Sequence, residues 1–179
     1  FGVGITADML TFSAGNYSDP DLIIKIKNTT DQITVDSQYG NSSYRIEDIV
    51  FSDGTILHTT DIFIYINGTD GTDTLSGSSG NDIFNGKKGN DSFTDFNRDN
   101  DTFIFNCGDG QDTITNYLGT DIIQFGAGIT SDMLSFSTNN YTDLIIKIAN
   151  TTDQITISTH LQSSDYQIEQ IKFSDNSIL

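Results

Sequence analysis

The sequence predicts an all-β protein in which stacked turn-and-strand units lie between two copies of another β-rich unit. Three observations lead to this prediction. A nine-residue pattern recurs in tandem from residue 68 to residue 94, and residues 1–57 and 125–179 repeat one another. Glu47 and Glu169 are the only glutamates among 25 acidic residues, and no capped amphipathic helix of useful length is visible. Aspartate favours turns, whereas glutamate favours helices.

The first predicted domain, residues 1–60, consists of strands joined by turns. Leu22 to Ile26 is a β-branched run, Asn28 to Asp31 supplies turn residues, and Ile33 to Val35 alternates, which is typical of a hairpin. Residues 46–51 read as a further strand. The apolar residues expected in the core of this domain are Phe12, Leu22, Ile24, Ile26, Ile33, Ile46 and Ile49.

The second predicted domain, residues 61–124, begins with an entry strand at 62–66 and contains the nonapeptides. Each of the three clean units has glycine at positions one and four, aspartate at six and a large apolar residue at eight. These residues are Gly68, Gly71, Asp73 and Leu75; Gly77, Gly80, Asp82 and Phe84; Gly86, Gly89, Asp91 and Phe93. Glycine permits a tight turn over six residues, and the last three form a short strand with one inward side chain. Stacked units would form interior apolar columns.

Three looser units follow. The fourth, 96–104, keeps Asp101 and Phe103 but has Phe96 and Asp99 at the glycine positions. The fifth, 107–115, contains Gly108, Gly110, Asp112 and Ile114, and the sixth, 116–124, contains Gly119, Asp121 and Ile123. Residues 125–179 form the third predicted domain, the second copy of the β-rich unit.

The recurring aspartates predict a cation site. Carboxylates stacked at strand spacing, about 4.8 Å, repel one another unless a cation lies between them. Calcium accepts six to eight oxygen ligands, whereas magnesium retains its waters and zinc prefers His and Cys. Cys107 is the only cysteine, and His58 and His160 have no spaced partner. The formal net charge of −17 argues against nucleic acid and anionic membrane surfaces as partners.

The tandem units resemble the RTX nonapeptide Gly-Gly-x-Gly-x-Asp-x-U-x, in which U is a large apolar residue; Thr69, Ser78 and Lys87 replace the second glycine. The resemblance implies a parallel β-roll with calcium between turns two units apart. Units one and three are expected to form the best site, and sites that use the fourth unit are expected to be weak or empty. The candidate calcium ligands are Asp73, Asp82, Asp91, Asp101, Asp112, Asp121, Asp70, Asp99, Asp109, Gly68, Gly71, Gly77, Gly80, Gly86, Gly89, Gly108, Gly110 and Gly119.

The flanking copies resemble the haemolysin-type calcium-binding-related segment that follows nonapeptide blocks in large secreted RTX proteins. The residues that carry this resemblance are 110–114, 121–126, 168–171 and 173–175. In that family the segment packs on the roll and caps it.

The functional expectation is a non-catalytic calcium-binding folding module, secreted or at the cell surface, from a longer protein that alternates such units and rolls. The resemblance implies type I export as an unfolded chain. The expected partners are calcium and neighbouring repeats of the parent chain, without nucleic acid or membrane insertion, and the segment is expected to be a monomer. Two alternatives stay open. One is an adhesive or carbohydrate-binding segment, suggested by Tyr17, Tyr39 and Tyr44; the other is a regulatory module of a secreted hydrolase or epimerase.

Overall fold

The structure, a computed structural model, describes residues 1–14, 21–39, 45–139 and 141–179. The chain divides into two compact units, Phe1–Ile64 with Ser78–Asn81, and Tyr65–Gly77 with Asp82–Leu179. Among these residues, the helical segments are single 3-10 turns at Ala7–Met9, Thr59–Asp61, Ser131–Met133 and Ser164–Tyr166. None of the helices in the described part of the chain is long or apolar enough to cross a membrane.

The first unit contains two small antiparallel sheets. The larger has the strand order β1 (Leu10–Ala14), β2 (Leu22–Ile26) and β3 (Gln32–Val35), and the smaller pairs β4 (Asp48–Val50) with β5 (Ile56–His58). The β2–β3 pairing places Ile24 opposite Ile33. The hairpin that the sequence predicts is therefore confirmed.

The core of the first unit differs in part from the one that the sequence predicts. Leu22, Ile24 and Ile49 are buried, and Phe12 and Ile26 are half-buried. The prediction is wrong for Ile33 and Ile46, whose side chains are 48% and 44% exposed. Both residues line an open groove instead of packing under another layer.

The second unit is a parallel β-roll, because successive strands alternate between two sheets. The first sheet contains β6 (Ile64–Asn67), β8 (Asp82–Asn85), β10 (Thr102–Phe105), β12 (Ile122–Phe125) and β16 (Gln170–Lys172). The second contains β7 (Thr74–Ser76), β9 (Ser92–Thr94), β11 (Gln111–Thr115), β15 (Gln154–Ile157), β14 (Asp143–Ile148) and β13 (Leu134–Asn139). Strand β14 pairs antiparallel with both β15 and β13, and the other neighbours described in this sheet pair in parallel. The predicted fold class is confirmed.

The interior of the roll is filled by the apolar eighth-position residues. Register places Phe84 beside Phe103 and then Ile123 in the first sheet. The rings of Phe84 and Phe103 stack with centroids 4.9 Å apart, and Phe93 from the second sheet meets both edge-on. Burial of each such side chain contributes about 1.5–3 kcal/mol. This packing fixes the turns between the sheets at the two ends of the strands.

Residues 125–179 contribute two further strands to the roll. Strand β15 pairs in parallel with β11, so that Ile157 lies opposite Ile114, and β16 pairs in parallel with β12. Ile155 and Ile157 are buried in the same core as the nonapeptide residues. The domain boundaries after residues 60 and 124 stay predictions about folding units.

Candidate calcium sites

The β-roll brings the sixth-position aspartates together in two columns. The first column contains Asp73, Asp91 and Asp112. The backbone N–H of Asp73 donates to Oδ1 of Asp91 at 2.8 Å, and the backbone N–H of Asp91 donates to Oδ1 of Asp112 at 2.8 Å. The carboxylates of Asp91 and Asp112 are therefore each fixed by the coil before them, and Oδ2 of Asp91 has no hydrogen-bond partner.

The second column contains Asp82, Asp101 and Asp121, all buried. The N–H of Asp82 donates to Oδ1 of Asp101 at 2.9 Å, and the N–H of Asp101 donates to Oδ1 of Asp121 at 2.8 Å. The N–H of Asp121 in turn donates to Oε2 of Glu169 at 2.7 Å. Glu169, which belongs to the second copy of the β-rich unit, thus provides the last acceptor of the column. Sequence reasoning did not assign it a site role, although it is one of only two glutamates.

Asp95 completes the closest acidic group in the described part of the chain. Asp82, Asp95 and Asp101 each place a carboxylate oxygen within 4.8 Å of the others. All three residues are buried, and Oδ2 of Asp95 has no hydrogen-bond partner. Oδ1 of Asp95 accepts from the backbone N–H of Asn97 at 2.6 Å. A buried carboxylate oxygen without a donor is costly, and a cation would satisfy it.

This group lies between the second and fourth units, where the sequence predicts a weak site. The strength of this site stays a prediction, but the fourth turn begins one residue earlier than the sequence indicates. The N–H of Asp95 bonds the carbonyl of Thr115, as the N–H of Gly77 bonds that of Thr94. Asp95 therefore holds the first position of its turn. It places a carboxylate at the position where the preceding coil has Gly77.

The next coil has an amide at the same position. Asn116 is buried, and its Nδ2 donates to Oδ2 of Asp121. The Asp121 coil therefore has one carboxylate fewer than the Asp101 coil. Because calcium affinity depends on the number of charged ligands, these two coils are not chemically equivalent.

Glycine is required where the turns of successive coils touch. A Cβ on Gly77 would overlap the carboxylate of Asp95, and one on Gly86 would overlap that of Asp91. Gly110 has φ +110°, and a Cβ there would strike the carbonyl oxygen of Gly89. A Cβ on Gly68 would lie 2.7 Å from the carbonyl oxygen of Gly86 and 2.8 Å from Oδ2 of Asp73. Carbonyl and carboxylate oxygens thus surround these glycines.

The other predicted ligands have varied surroundings. Asp70 and Gly71 are exposed, and so is Gly108, which has open space around it. The carbonyl of Asp99 faces Gly119, where a Cβ would overlap it. Oδ2 of Asp109 accepts from the N–H of Asn106 at 2.7 Å.

Of the three aromatic residues that suggested an adhesive role, the structure describes Tyr39. A Cβ on Gly80 would lie 2.7 Å from Cε1 of Tyr39, so the ring is packed against the Gly80 backbone. Tyr39 is half-buried. Tyr17 and Tyr44 lie outside the described residues.

Burial makes the charged form of these carboxylates unfavourable. It is the main cause that raises the pKa of Asp101 to about 9, with the Asp95 carboxylate adding to the effect. Burial also raises the pKa of Asp112 and Asp121 to about 7, and that of Asp95 to about 6. In the described part of the chain, the one ion pair joins Asp48 to His58, in the first unit. Among the described residues, no lysine or arginine forms an ion pair with Asp101, Asp112 or Asp121.

The residues present fit calcium. The donors are carboxylate and carbonyl oxygens, without histidine or cysteine, and two buried oxygens, Oδ2 of Asp91 and Oδ2 of Asp95, have no hydrogen-bond partner. Asp82, Asp95 and Asp101 would hold the ion in the second column, and Asp91 with its neighbouring glycines would hold one in the first. Bound calcium supplies the positive charge that offsets carboxylate repulsion. The fold and the turns thus define a cation-binding parallel β-roll.

Comparison with known proteins agrees with this class. The family model for the RTX calcium-binding nonapeptide repeat (4 copies) matches residues 65–93. The model for the haemolysin-type calcium binding protein related domain matches residues 21–61 and 143–179. The chain is thus a segment of the RTX family, with calcium-binding nonapeptide repeats between two haemolysin-type calcium-binding-related units. Calcium is its cofactor.

Two known proteins show the extent of the likeness. The iron-regulated protein FrpA of Neisseria meningitidis serogroup C is 40% identical over 85 residues, which cover 44% of this chain and 8% of FrpA. The match therefore spans a small part of that relative. The crystal structure of the extracellular lipase LipA from Serratia marcescens aligns with a TM-score of 0.35 and 15% identity, over 94% of this chain and 32% of LipA.

Proposed function

We propose that calcium binding drives the folding of this roll. The observation that carries the proposal is the stack of buried aspartates in the second column. Burial raises the pKa of Asp101 and Asp121, and among the described residues neither forms an ion pair with a basic side chain. At neutral pH the roll without calcium must either retain protons on these groups or bury like charges. Both states are costly, and calcium removes the cost.

The energy available from calcium is large relative to the stability of a small domain. Residues 61–124 contain eleven aspartates and three basic residues, a formal balance of −8. Each site contributes about 1.4 kcal/mol when calcium is tenfold above its dissociation constant. A few such sites supply several of the roughly 5–15 kcal/mol that stabilise a domain. Without calcium, charge repulsion and the entropy of glycine-rich turns favour the unfolded chain.

The cellular role follows from the difference in calcium between compartments. We infer export of the unfolded chain by a type I system, followed by folding outside the cell, where calcium is abundant. The segment then acts as a non-catalytic spacer or folding scaffold for an activity elsewhere in the longer protein. The RTX repeats and the match to FrpA support this proposal.

The test is a calcium titration followed by far-UV circular dichroism. The wild type should pass cooperatively from coil to β structure at about 10⁻⁴–10⁻³ M calcium, the range of extracellular modules. Asp82→Ala should shift the transition to higher calcium. Asp36→Ala, which removes the same charge from an exposed position of the first unit, should leave it in place. Full β structure in calcium-free buffer, unchanged by calcium, would refute the proposal.

A further inference from the structure

The described strands of the two copies of the flanking unit pair in the same way but have different surroundings. Phe1 corresponds to Phe125, Ile33 to Ile155 and Glu47 to Glu169. In both copies the first strand pairs antiparallel with the second, and the second with the third. Each copy also has an antiparallel pairing that follows its glutamate, Val50 with Ile56 and Lys172 with Ile178. The difference between the copies therefore lies in what covers them.

In the second copy, the β-roll covers the third strand of this hairpin. Strand β11 pairs with β15 in parallel, and Gln111 lies opposite Gln154. Ile155 is 1% exposed and packs in the core of the roll. Strand β16 is covered at its edge by β12 in the same manner.

In the first copy, the corresponding strands lack this cover. Among the described residues, β3 pairs only with β2, and β4 pairs only with β5. Ile33 is 48% exposed, although its counterpart Ile155 is buried. An apolar groove of about 200 Å³ runs along this face, and its apolar lining includes Phe1, Leu22, Ile24, Ile33, Ile46 and Ile49. The counterparts of all six belong to, or pack against, the core of the second unit.

Two acidic residues at this face also contact the roll in the second copy and are exposed in the first. Glu169 accepts the backbone N–H of Asp121 at 2.7 Å, and Asp153 accepts that of Gly108 at 2.7 Å. Both bonds join the second copy to the last coil of the roll. Their counterparts in the first copy, Glu47 and Asp31, are exposed. The first copy therefore presents both the apolar wall and the acceptors that the second copy uses.

We propose that this groove face of the first copy docks the C-terminal coil of another nonapeptide β-roll. The occupant pairs its last two strands in parallel with β3 and β4, places apolar eighth-position residues in the groove, and ends its aspartate column on Glu47. A second intact copy of this chain does not fit this description, because β15 and β16 already cover its own last coil. A roll preceding Phe1 in a longer chain meets the requirement.

The alignment supplies a direct test. The extended chain carries an additional copy of residues 65–124 fused directly before Phe1 of the full chain. This fusion reproduces the native junction, because Phe125 follows Gln124 and corresponds to Phe1. In calcium buffer, we expect hydrogen exchange of the β3 and β4 amides to slow by about tenfold or more relative to the unextended chain, because their exposed edges become paired. Unchanged exchange at β3 and β4 would overturn the proposal.

Substitution of Ile33 makes the test specific. In the unextended chain, Ile33→Asp should leave the fold intact, since the side chain is half exposed. In the extended chain, the same change should abolish the added protection, because a charge would be buried in the groove. Val3→Asp, at a 95% exposed position, should preserve that protection.

Sedimentation tests the alternative occupant, which is a second copy of this chain. An unextended chain that dimerises, and becomes monomeric with Ile33→Asp, would show that the groove binds a second copy and would contradict the proposal. All these measurements are made in calcium. They therefore stay informative if the roll also folds without calcium, so this inference and the proposed function can fail separately.

Discussion

Oε2 of Glu169 accepts a hydrogen bond from the backbone N–H of Asp121 at 2.7 Å, as Oδ1 of Asp121 accepts one from Asp101 at 2.8 Å. A residue of the second copy therefore continues an interaction that the nonapeptides repeat. The longer glutamate side chain lets an exposed residue reach the buried end of the column. The same type of hydrogen bond, from a backbone N–H to a carboxylate, therefore joins the flanking unit to the roll and each coil to the next.

Loss of this terminal acceptor should destabilise the calcium-loaded protein. Glu169→Ala leaves the N–H of Asp121 without its partner, and we expect the free energy of unfolding to fall by about 0.5–1.5 kcal/mol. Urea unfolding in excess calcium measures the change. Glu169→Gln keeps an oxygen acceptor and should lose less. Glu47→Ala, the matched change in the first copy, should have no effect, and equal losses from both alanine variants would contradict this role.

Asp95 should contribute to calcium affinity as strongly as the sixth-position aspartates. Asp95→Asn mimics the amide that Asn116 places in the next coil, and removes one of three clustered carboxylates. Because calcium affinity follows ligand charge, we expect the calcium midpoint of folding to rise on the order of tenfold. Asp70→Asn, an exposed change of equal charge, is the control. Equal calcium midpoints for the two variants would show that Asp95 does not contribute to the calcium site.

The periodic part of the sequence predicted the fold and the alignment of aspartates well, because a nine-residue repeat specifies both turn and strand. Asp95 was missed because the fourth turn has one extra residue. Asp95 keeps the nine-residue spacing after Gly86, but the fourth unit was aligned on Asp101, which left Asp95 outside it. Glu169 was missed because its pairing depends on a contact 48 residues away in sequence. Ile33 was assigned to the core because its local pattern equals that of Ile155, and pattern alone does not show which strand has a neighbour.

Acidification should stabilise the calcium-free roll. A carboxyl whose folded pKa is raised contributes stability that is present below its ordinary value, near 4. That stability is lost as the pH rises through the folded pKa, about 6 for Asp95, about 7 for Asp112 and Asp121, and about 9 for Asp101. Protein stripped of calcium on a chelating resin should therefore lose β structure in circular dichroism between about pH 5 and pH 9. Rising stability over this interval would contradict the buried-carboxylate argument.

Substitution by alanine should reduce stability to different extents at two nearby glycines, Gly108 and Gly110. Both have positive φ, but a Cβ on Gly110 would strike the Gly89 carbonyl, whereas one on Gly108 meets open space. Gly108→Ala should cost about 1–2 kcal/mol, from backbone strain alone. Gly110→Ala must also separate two coils and should cost clearly more. Thermal unfolding in calcium compares the two, and an equal loss would show that the turns do not depend on close stacking.

Hydrogen exchange of strands β8 to β12, with and without calcium, tests calcium-coupled folding most directly. Mass spectrometry of peptides from residues 82–125 reports the amides that pair the strands within each of the two sheets. We predict strong protection in calcium and near-complete exchange of these peptides at neutral pH once calcium is removed, because the aspartate columns then cannot stay buried. Equal protection in both conditions would show that the roll is stable without the ion, and would contradict the account.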